Sequence, residues 1–336
     1  MAKKVFGLVL CALFLALSNP ALAQESKSIR KIGYLSRDLH PADSRAPSYM
    51  SRQAFREGLR QLGYVEEKNI IIEYRYADGR FERLPALAEE LVRLKVEIIV
   101  ADTTSTARAA QKSTSTLPIV SLTGGDPTQS GLAASLARPG GNVTGLTNIT
   151  GELRGKRLEL LKEVVPKVTR FALLEGSGGT VSKDRNIADA QVAAKALGVK
   201  LQVLEVNEQN PDFDGAFRVM VKERLGVLIT GAGAFLTITV HRRKILNLVV
   251  QNRMPAIYGS EGFIDDGGLM WYGANNVDLY RRGASFVDKI LKGAKPADLP
   301  VERPLKFDFV INLKAAKQIG LTIPPNVLAR ADRVIR

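Results

Sequence analysis

The stretch Gly140-Gly141-Asn142-Val143-Thr144-Gly145 divides this sequence into two similar series of alternating strands and helices. In the first series, β-branched runs such as Asn69 to Tyr76 alternate with amphipathic runs such as Tyr49 to Gly63. This alternation is typical of βαβ units. Their right-handed crossovers produce a parallel sheet with helices on both faces.

The second series follows the same pattern. A helix predicted over residues 151–165 is followed by strands predicted over 169–174, 200–206 and 226–230. A chain of 336 residues also has the length of two domains of about 150 residues each. The sequence therefore predicts an α/β protein built from two doubly wound parallel-sheet lobes.

The N-terminus has the features of a secretory signal peptide over residues 1–23. Lys3 and Lys4 precede an apolar run from Val5 to Leu17, and the small-residue triplet Ala21-Leu22-Ala23 follows. A membrane anchor is the less favoured alternative, because the run is shorter than the ~20 residues that span a bilayer. We therefore expect cleavage before Gln24 and a periplasmic protein.

The charge of the chain is strongly basic. Lys and Arg number 48 against 34 Asp and Glu, for a net charge of +14. The basic residues are spread along the chain and do not form a stripe with interleaved aromatic residues. This distribution favours a solvated cationic surface, and we expect no nucleic-acid partner.

Catalytic groups are scarce in the sequence. The only cysteine, Cys11, lies in the signal, and the two histidines, His40 and His241, have no evident acid partner. Walker, H-x-x-x-H and G-x-S-x-G motifs are absent. We therefore expect no catalytic residues, no metal, no cofactor and no enzymatic activity.

Several motifs then point to a known family. Ala54-Phe55-Arg56-Glu57-Gly58-Leu59, Ser135-Leu136-Ala137-Arg138-Pro139-Gly140 and Gly155-Lys156-Arg157-Leu158-Glu159-Leu160 resemble segments of ABC transporter substrate-binding proteins of the tryptophan/tyrosine type. The segments Gly268 to Gly273 and Leu305 to Asn312 resemble the tail of type I periplasmic binding proteins.

That resemblance implies a hinge of three crossings between the lobes, the first at residues 143–148. The expected lobes are then residues 28–146 plus 274–303, and residues 147–273 plus 304–336. It also implies a small-molecule ligand that is an amino acid or a related carboxylate, a membrane ABC permease as partner, and a monomer. The loops at 175–179 and 231–234 differ from the Asn-Pro and Asp-Pro types of similar sequences, which leaves the ligand's identity open.

The candidate site follows from the rule that open parallel sheets bind ligands beyond the carboxyl ends of their strands. The predicted ligand-binding residues of the first lobe are Ser36, Arg37, Asp38, Thr103, Thr104, Ser105, Gly124 and Asp126. Those of the second lobe are Glu175, Ser177, Gly231, Tyr258 and Glu261.

Two of these segments open helices and have two readings each. Thr103-Thr104-Ser105-Thr106 could bind a ligand carboxylate with free N–H groups and hydroxyls, or it could simply cap its helix. Asp126, before a proline, could pair with a ligand ammonium, although capping is favoured.

Three further side chains carry the same ambiguity. Arg37 could bind a carboxylate in a bidentate manner or remain solvated at the cleft lip. Tyr258 is the preferred aromatic for stacking on a ligand, whereas Trp271 is expected to lie in the core.

These features together predict an exported two-lobed receptor that captures a solute for an ABC importer. A periplasmic sensor subunit with the same clamp is the main alternative, and an exported hydrolase is less favoured because no nucleophile and base are evident. A DNA-binding regulator is excluded, because the signal occupies the place of a helix-turn-helix.

Overall fold

The computed structural model describes residues 29–38, 47–148, 151–178, 181–233 and 235–336. The predicted signal peptide and His40 lie outside these residues. Among the helices in the described ranges, none has both the length and the apolar character needed to cross a membrane.

The first series forms a five-stranded parallel sheet with the order β2-β1-β3-β4-β5. Its strands are β1 (Arg30–Ser36), β2 (Ile70–Tyr76), β3 (Ile98–Ala101), β4 (Ile119–Gly124) and β5 (Val143–Thr147). Its helices are α1 (Pro47–Gln61), α2 (Leu84–Arg93) and α3 (Thr104–Ser113), with a 3₁₀ turn at Phe81–Arg83.

The second series builds a seven-stranded sheet. It begins with α4 (Gly151–Val164), β6 (Arg170–Gly176), α5 (Val181–Ala196), β7 (Lys200–Val206) and α6 (Phe213–Lys222). It continues with β8 (Val227–Thr230), α7 (Thr239–Gln251), β9 (Ala256–Tyr258), α8 (Gly262–Asp265) and β10 (Met270–Ala274).

The C-terminal part visits both lobes. Helix α9 (Asn276–Leu291) packs on α1 and on β4 and β5 of the first sheet, and a 3₁₀ turn follows at Pro296–Asp298. The remaining elements complete the second sheet; they are β11 (Phe307–Asn312), α10 (Leu313–Gln318), α11 (Pro325–Leu328) and β12 (Arg333–Ile335).

One strand pair departs from the predicted parallel arrangement. The second sheet has the order β12-β11-β10-β9-β8-β6-β7, and β10 pairs with β11 in antiparallel register. The chain leaves this sheet through β10 and returns through β11 after α9, so these two strands run in opposite directions. The other strand pairs of this sheet are parallel.

Each sheet is covered on both faces by apolar side chains. In the first lobe, Tyr34, Phe55 and Phe286 lie in a core on the α1 and α9 side, whereas Leu91 and Ile99 lie in a core on the opposite side. The second lobe has a larger core of its own. The prediction of two α/β lobes is confirmed.

Helices α1 and α9 approach each other closely at Gly58. A Cβ at this position would lie 2.6 Å from the carbonyl oxygen of Arg281, so a larger residue would push the two helices apart. Glycine is therefore required where the C-terminal helix docks on the first lobe.

The hinge segments are held together by backbone hydrogen bonds. The N–H of Glu302 donates to Gly145 O at 2.9 Å, and the N–H of Thr147 donates to Glu302 O at 3.0 Å. On the other side, the N–H of Asn275 donates to Lys306 O at 3.0 Å. The segment that leads into β11 therefore lies between the end of β5 and the end of β10.

Candidate functional site

A cleft of about 660 Å³ separates the two lobes and is lined by residues from both. Parallel strands direct the loops at their carboxyl ends to one edge of a sheet, and these loops form the cleft walls. A volume in this range suits a small organic ligand.

The cleft brings together seven of the predicted residues, namely Arg37, Thr103, Thr104, Ser105, Asp126, Glu175 and Glu261. Six others do not line it, namely Ser36, Asp38, Gly124, Ser177, Gly231 and Tyr258. In several cases an adjacent residue, such as Gly125 or Gly176, is exposed to the cleft instead.

The N-terminus of α3 divides capping and cleft exposure among its hydroxyl residues. Thr103 is the cap residue: its hydroxyl accepts from the N–H of Thr106, and the Thr106 hydroxyl accepts from the N–H of Thr103. Thr104 Oγ1 accepts from the N–H of Gly125 at 2.8 Å. The Thr104 hydroxyl proton and the N–H groups of Thr104 and Ser105 are then able to donate to a ligand. The capping reading is therefore confirmed for Thr103, and the anion-binding reading stays a prediction for Thr104 and Ser105.

Behind this loop lies a buried carboxylate, Asp102. Ser36 Oγ donates to Asp102 Oδ2 at 2.6 Å, and Thr106 Oγ1 donates to Asp102 Oδ1 at 3.0 Å. Burial and the nearby Asp38 raise the pKa of Asp102 to about 6, although the hydrogen bonds from Ser36 and Thr106 oppose this shift. Ser36 thus supports the binding loops from below and does not touch the cleft.

Asp126 is occupied by its own turn. Its Oδ1 accepts from the N–H of Thr128 at 2.9 Å and from the Thr128 hydroxyl at 2.6 Å. Burial would raise the pKa of Asp126, but these hydrogen bonds outweigh it and lower the pKa. The prediction that Pro127 begins a helix is wrong, because residues 127–131 form turns. Asp126 therefore caps a turn, and it also lines the cleft.

Arg37 lines the cleft where β1 ends. Its Nε lies 3.7 Å from Asp38 Oδ1, and both side chains remain partly exposed. An exposed pair of this kind holds its partner weakly, so the guanidinium is able to turn toward an anion in the cleft.

The second-lobe side contains a buried ion pair that the sequence analysis did not single out. Arg154 on α4 pairs with Glu175 at the end of β6, and their side chains are only 7% and 3% exposed. A Cβ at Gly231 would lie 2.0 Å from Glu175 Oε2, so this glycine leaves room for the carboxylate. Gly231 and Glu175 are therefore two parts of one structural feature.

Arg157 lies one turn further along α4 and is 1% exposed. Its Nε donates to Tyr272 O at 2.8 Å, and its Nη2 donates to Gly259 O at 3.3 Å. Burial and the neighbouring Arg154 lower the pKa of Arg157 to about 9, so the side chain stays charged at neutral pH. Two guanidinium groups thus lie close to one carboxylate in this part of the wall.

In the sequence, only the i, i+3 spacing of Arg154 and Arg157 indicated that these two arginines lie together. Residues so spaced lie on the same face of a helix. The sequence motif identified the helix, but the buried partner Glu175 lies 21 residues away and becomes a neighbour only through the sheet.

The aromatic residues exchange the roles expected of them. Trp271 lines the cleft although only 3% exposed, with its ring against Gly273. Tyr258 is 0% exposed and stacks on Phe263 with ring centroids 4.5 Å apart. Burial raises the pKa of Tyr258. Tyr258 therefore belongs to the core of the second lobe, and Trp271 is the aromatic that reaches the cleft.

A second aromatic on this wall is Phe235. It lines the cleft and packs on the His241 ring, with the centroids 4.4 Å apart, and on Phe213 at 6.0 Å. His241 Nδ1 lies 2.9 Å from Phe235 O, which fixes the ring against this loop. His241 thus supports an apolar surface of the cleft.

Comparison with known proteins identifies the family. The family model described as ABC transporter substrate binding protein matches residues 43–335. A tyrosine-binding protein of Clostridioides difficile is 25% identical over 305 residues, which cover 90% of this chain and 85% of that protein.

Solved structures share the fold of this chain. A conserved domain protein from Vibrio cholerae has a TM-score of 0.80 at 27% identity, covering 91% of this chain and 100% of that one. An ABC domain from Streptococcus pneumonia, in complex with L-Trp, also has a TM-score of 0.80 at 24% identity, covering 92% and 100%. Both structures support the type I binding-protein fold of this chain.

The family resemblance predicted from the sequence motifs is thereby confirmed. The expectation of a binding protein rather than an enzyme is confirmed with it, because the matched family consists of substrate-binding proteins. The chain belongs to the ABC transporter substrate-binding protein family.

Proposed function

We propose that this protein is the exported, periplasmic solute-binding component of an ABC importer. In this proposal it captures an aromatic amino acid or a related carboxylate between its lobes and delivers it, as a monomer, to a membrane ABC permease. The observation that carries the proposal is a cleft of about 660 Å³ with hydroxyl groups at a helix N-terminus on the first-lobe wall and two aromatic rings on the second-lobe wall.

The carboxylate of the ligand is assigned to the N-terminus of α3. The Thr104 hydroxyl and the N–H groups of Thr104 and Ser105 are donors there, and the positive end of the helix dipole lies behind them. Arg108 lies one turn along the same helix and also lines the cleft. Charge-assisted hydrogen bonds of this kind are stronger than neutral ones.

The apolar part of the ligand is assigned to the second-lobe side. Trp271 and Phe235 line the cleft there; Phe235 packs on the His241 ring, and Gly273 leaves room for the Trp271 ring. Aromatic rings favour offset or edge-to-face contact with another ring. The names of two relatives, one that binds tyrosine and one solved with L-Trp, support the same ligand class.

Ligand contact with both walls also supplies the mechanism of closure. A ligand that touches both lobes only in the closed form binds that form more tightly and shifts the population toward it. The three hinge segments absorb the rotation. The closed form is then the one that the permease would recognise.

The direct test is a binding screen with purified protein. We expect L-tryptophan, L-tyrosine or L-phenylalanine to raise the melting temperature and to bind with micromolar or better affinity, about −8 kcal/mol or stronger. Tryptamine and tyramine, which lack the carboxylate, are matched controls and should bind far more weakly. If neither aromatic amino acids nor their carboxylate analogues bind, the proposed ligand class is wrong.

Export and transport are tested separately in cells. The mature protein should be recovered from the periplasmic fraction with Gln24 as its first residue. Deletion of the gene should reduce uptake of the labelled ligand found in the screen. Recovery of an uncut chain in the cytoplasm, or unchanged uptake, would contradict this part of the proposal.

A further inference from the structure

Two asparagines at the hinge have side-chain oxygens without a hydrogen-bond partner in the described structure. Asn148 follows β5, Asn276 begins α9, and the Oδ1 atoms of both are buried. Both residues also line the cleft. Buried polar atoms are nearly always hydrogen-bonded, so two such acceptors in one cleft require an explanation.

Asn148 lies next to the proposed carboxylate site. Its backbone N–H donates to Gly124 O, and the hydroxyl of Thr147 donates to Gly125 O at 2.9 Å. The N–H of Gly125 in turn donates to Thr104 Oγ1. Asn148 and Thr104 therefore lie on either side of the same pair of glycines, one as an acceptor and the other as a donor.

Asn276 lies next to a carboxylate of the cleft. It hydrogen-bonds to Glu261, whose Oε1 also accepts from Arg333 Nη2 at 3.1 Å. An amide that donates through its nitrogen to Glu261 still has its oxygen available as an acceptor. Glu261 and Asn276 thus form a second acceptor pair at the hinge, held in place by Arg333.

We propose that the hinge end of the cleft is an amine-recognition site, in which Asn148 Oδ1, with support from Asn276 and Glu261, accepts hydrogen bonds from the α-ammonium group of the ligand. This inference rests on the proposed function, because it assumes that the ligand carboxylate lies at Thr104. The chemistry fits: an ammonium group has three donors and no acceptor, whereas the two amide oxygens and the carboxylate are acceptors.

Adjacency strengthens the assignment. The carboxylate and the ammonium of an α-amino acid are attached to the same carbon, so their binding groups must lie side by side. Thr104 and Asn148 meet this requirement through the shared Gly124 and Gly125. The cleft should therefore select α-amino acids over carboxylic acids that have the same side chain and no amine.

The experiment compares two ligand pairs by calorimetry on the full mature protein. The pairs are L-tryptophan with 3-indolepropionate, and L-tyrosine with 3-(4-hydroxyphenyl)propionate; each pair differs only in the amine. For the wild type we expect the amino acid to bind at least about 30-fold more tightly than the desamino acid. A ligand without the amine would leave the buried acceptors unpaired. This comparison needs no variant, so it does not depend on any variant folding.

Variants then locate the effect. Asn148→Leu should weaken amino-acid binding about 10-fold and change the affinity of the desamino acid by less than about 2-fold. Asn148→Asp should preserve or increase the preference for the amino acid, because a carboxylate attracts an ammonium group and repels the desamino acid. Asn276→Leu should have the same direction as Asn148→Leu and a smaller effect.

Asn142→Leu is the matched control. Asn142 lies just before the other end of β5, and its side chain bonds to Thr114 O and Leu117 O at 2.9 Å, away from the cleft. Its replacement should leave the amino-acid preference unchanged. A purely structural role for Asn148 would likewise affect both members of a pair equally.

The outcomes separate this inference from the proposed function. If the wild type binds neither member of either pair, both proposals are wrong. If it binds both members equally well, or if Asn148→Leu weakens both equally, only the amine-recognition site is refuted. A preference that Asn148→Leu abolishes and Asn148→Asp retains supports it.

Discussion

The two walls of the cleft are built in different ways. The first-lobe wall includes Thr103, Thr104, Ser105 and Arg108, which are partly or well exposed and lie in the first turns of a helix. The second-lobe wall includes Arg154, Arg157, Glu175 and Trp271, each less than one-tenth exposed, beside more exposed side chains such as Glu208. These four buried residues are therefore part of the core of the second lobe as well as part of the cleft wall.

This difference separates binding from stability. A change in the first-lobe wall removes a donor that water can replace in the unliganded protein, so its main cost is in ligand affinity. A change in the second-lobe wall, or in the core beneath it, leaves a cavity or an unpaired buried charge in every state of the folded protein. Mutations on the two sides should therefore be detected by different measurements.

The largest effect is expected from Tyr258→Ala, beneath the second-lobe wall. The ring is fully buried against Phe263, so its removal should lower the free energy of unfolding by about 3 to 5 kcal/mol. Urea denaturation measures this, and Tyr258→Phe, which keeps the ring, is the control with a loss within about 1 kcal/mol. If Tyr258→Ala left the free energy of unfolding unchanged and abolished ligand binding, Tyr258 would be a cleft residue and not a core residue.

Glu175→Gln should be next in size. It removes the only carboxylate paired with Arg154 among the described residues and leaves two buried guanidinium groups together. We expect the free energy of unfolding to fall by about 3 kcal/mol.

The control for this change lies on the same helix as Arg154. Glu159 pairs with Lys156 at the surface, with the two side chains 42% and 37% exposed, so Glu159→Gln should cost less than about 1 kcal/mol. Equal losses for Glu175→Gln and Glu159→Gln would show that the second-lobe wall is no more sensitive than the surface.

Asp102 differs from the exposed residues of the first-lobe wall, because it is buried behind that wall. Its pKa is raised to about 6 by burial and Asp38, so the folded protein binds its proton more tightly than the unfolded chain does. The stability contributed by that proton is complete at acid pH and is lost as the pH rises toward 6.

Asp102→Asn should therefore remove this pH dependence. Measured relative to wild type, the stability of the variant should increase by about 2 kcal/mol between pH 4 and pH 7. The difference between the two urea denaturation series isolates Asp102 from all other titrating groups. A constant difference across this range would mean that the pKa of Asp102 is not raised.

The sequence predicted those parts of the molecule that depend on local pattern. The strand and helix alternation, the helix N-terminus at Thr103 to Ser105 and the position of loops at strand ends all follow from residue spacing and strand direction. The short elements α8, α10, α11 and β12 were not predicted, because three to six residues carry too little periodicity.

The sequence could not predict which side chain at a strand end turns into the cleft. Tyr258 and Trp271 are both aromatic, lie opposite each other on neighbouring strands β9 and β10, and differ only in what packs on them. Phe263, from a helix of four residues, covers the first, whereas Gly273 leaves space beside the second. The same limit applies to Glu175, whose partner Arg154 is fixed by tertiary packing.

The smallest effect is expected from Thr104→Val, and it should appear in binding alone. Valine keeps the shape of threonine and loses the hydroxyl, so the affinity for the aromatic amino acid should fall by about 1 to 2 kcal/mol, or about 10-fold. The N–H of Gly125 loses its acceptor, but Gly125 is exposed and water replaces the bond.

Calorimetry and urea denaturation should therefore give opposite results for Thr104→Val and for Tyr258→Ala. Thr116→Val, at an exposed position beyond the far end of α3, is the control and should change neither measurement. If Thr104→Val destabilises the fold as much as it weakens binding, the first-lobe wall is also part of a core. The separation of binding from stability between the two lobes would then be wrong, because both walls would act in the same way.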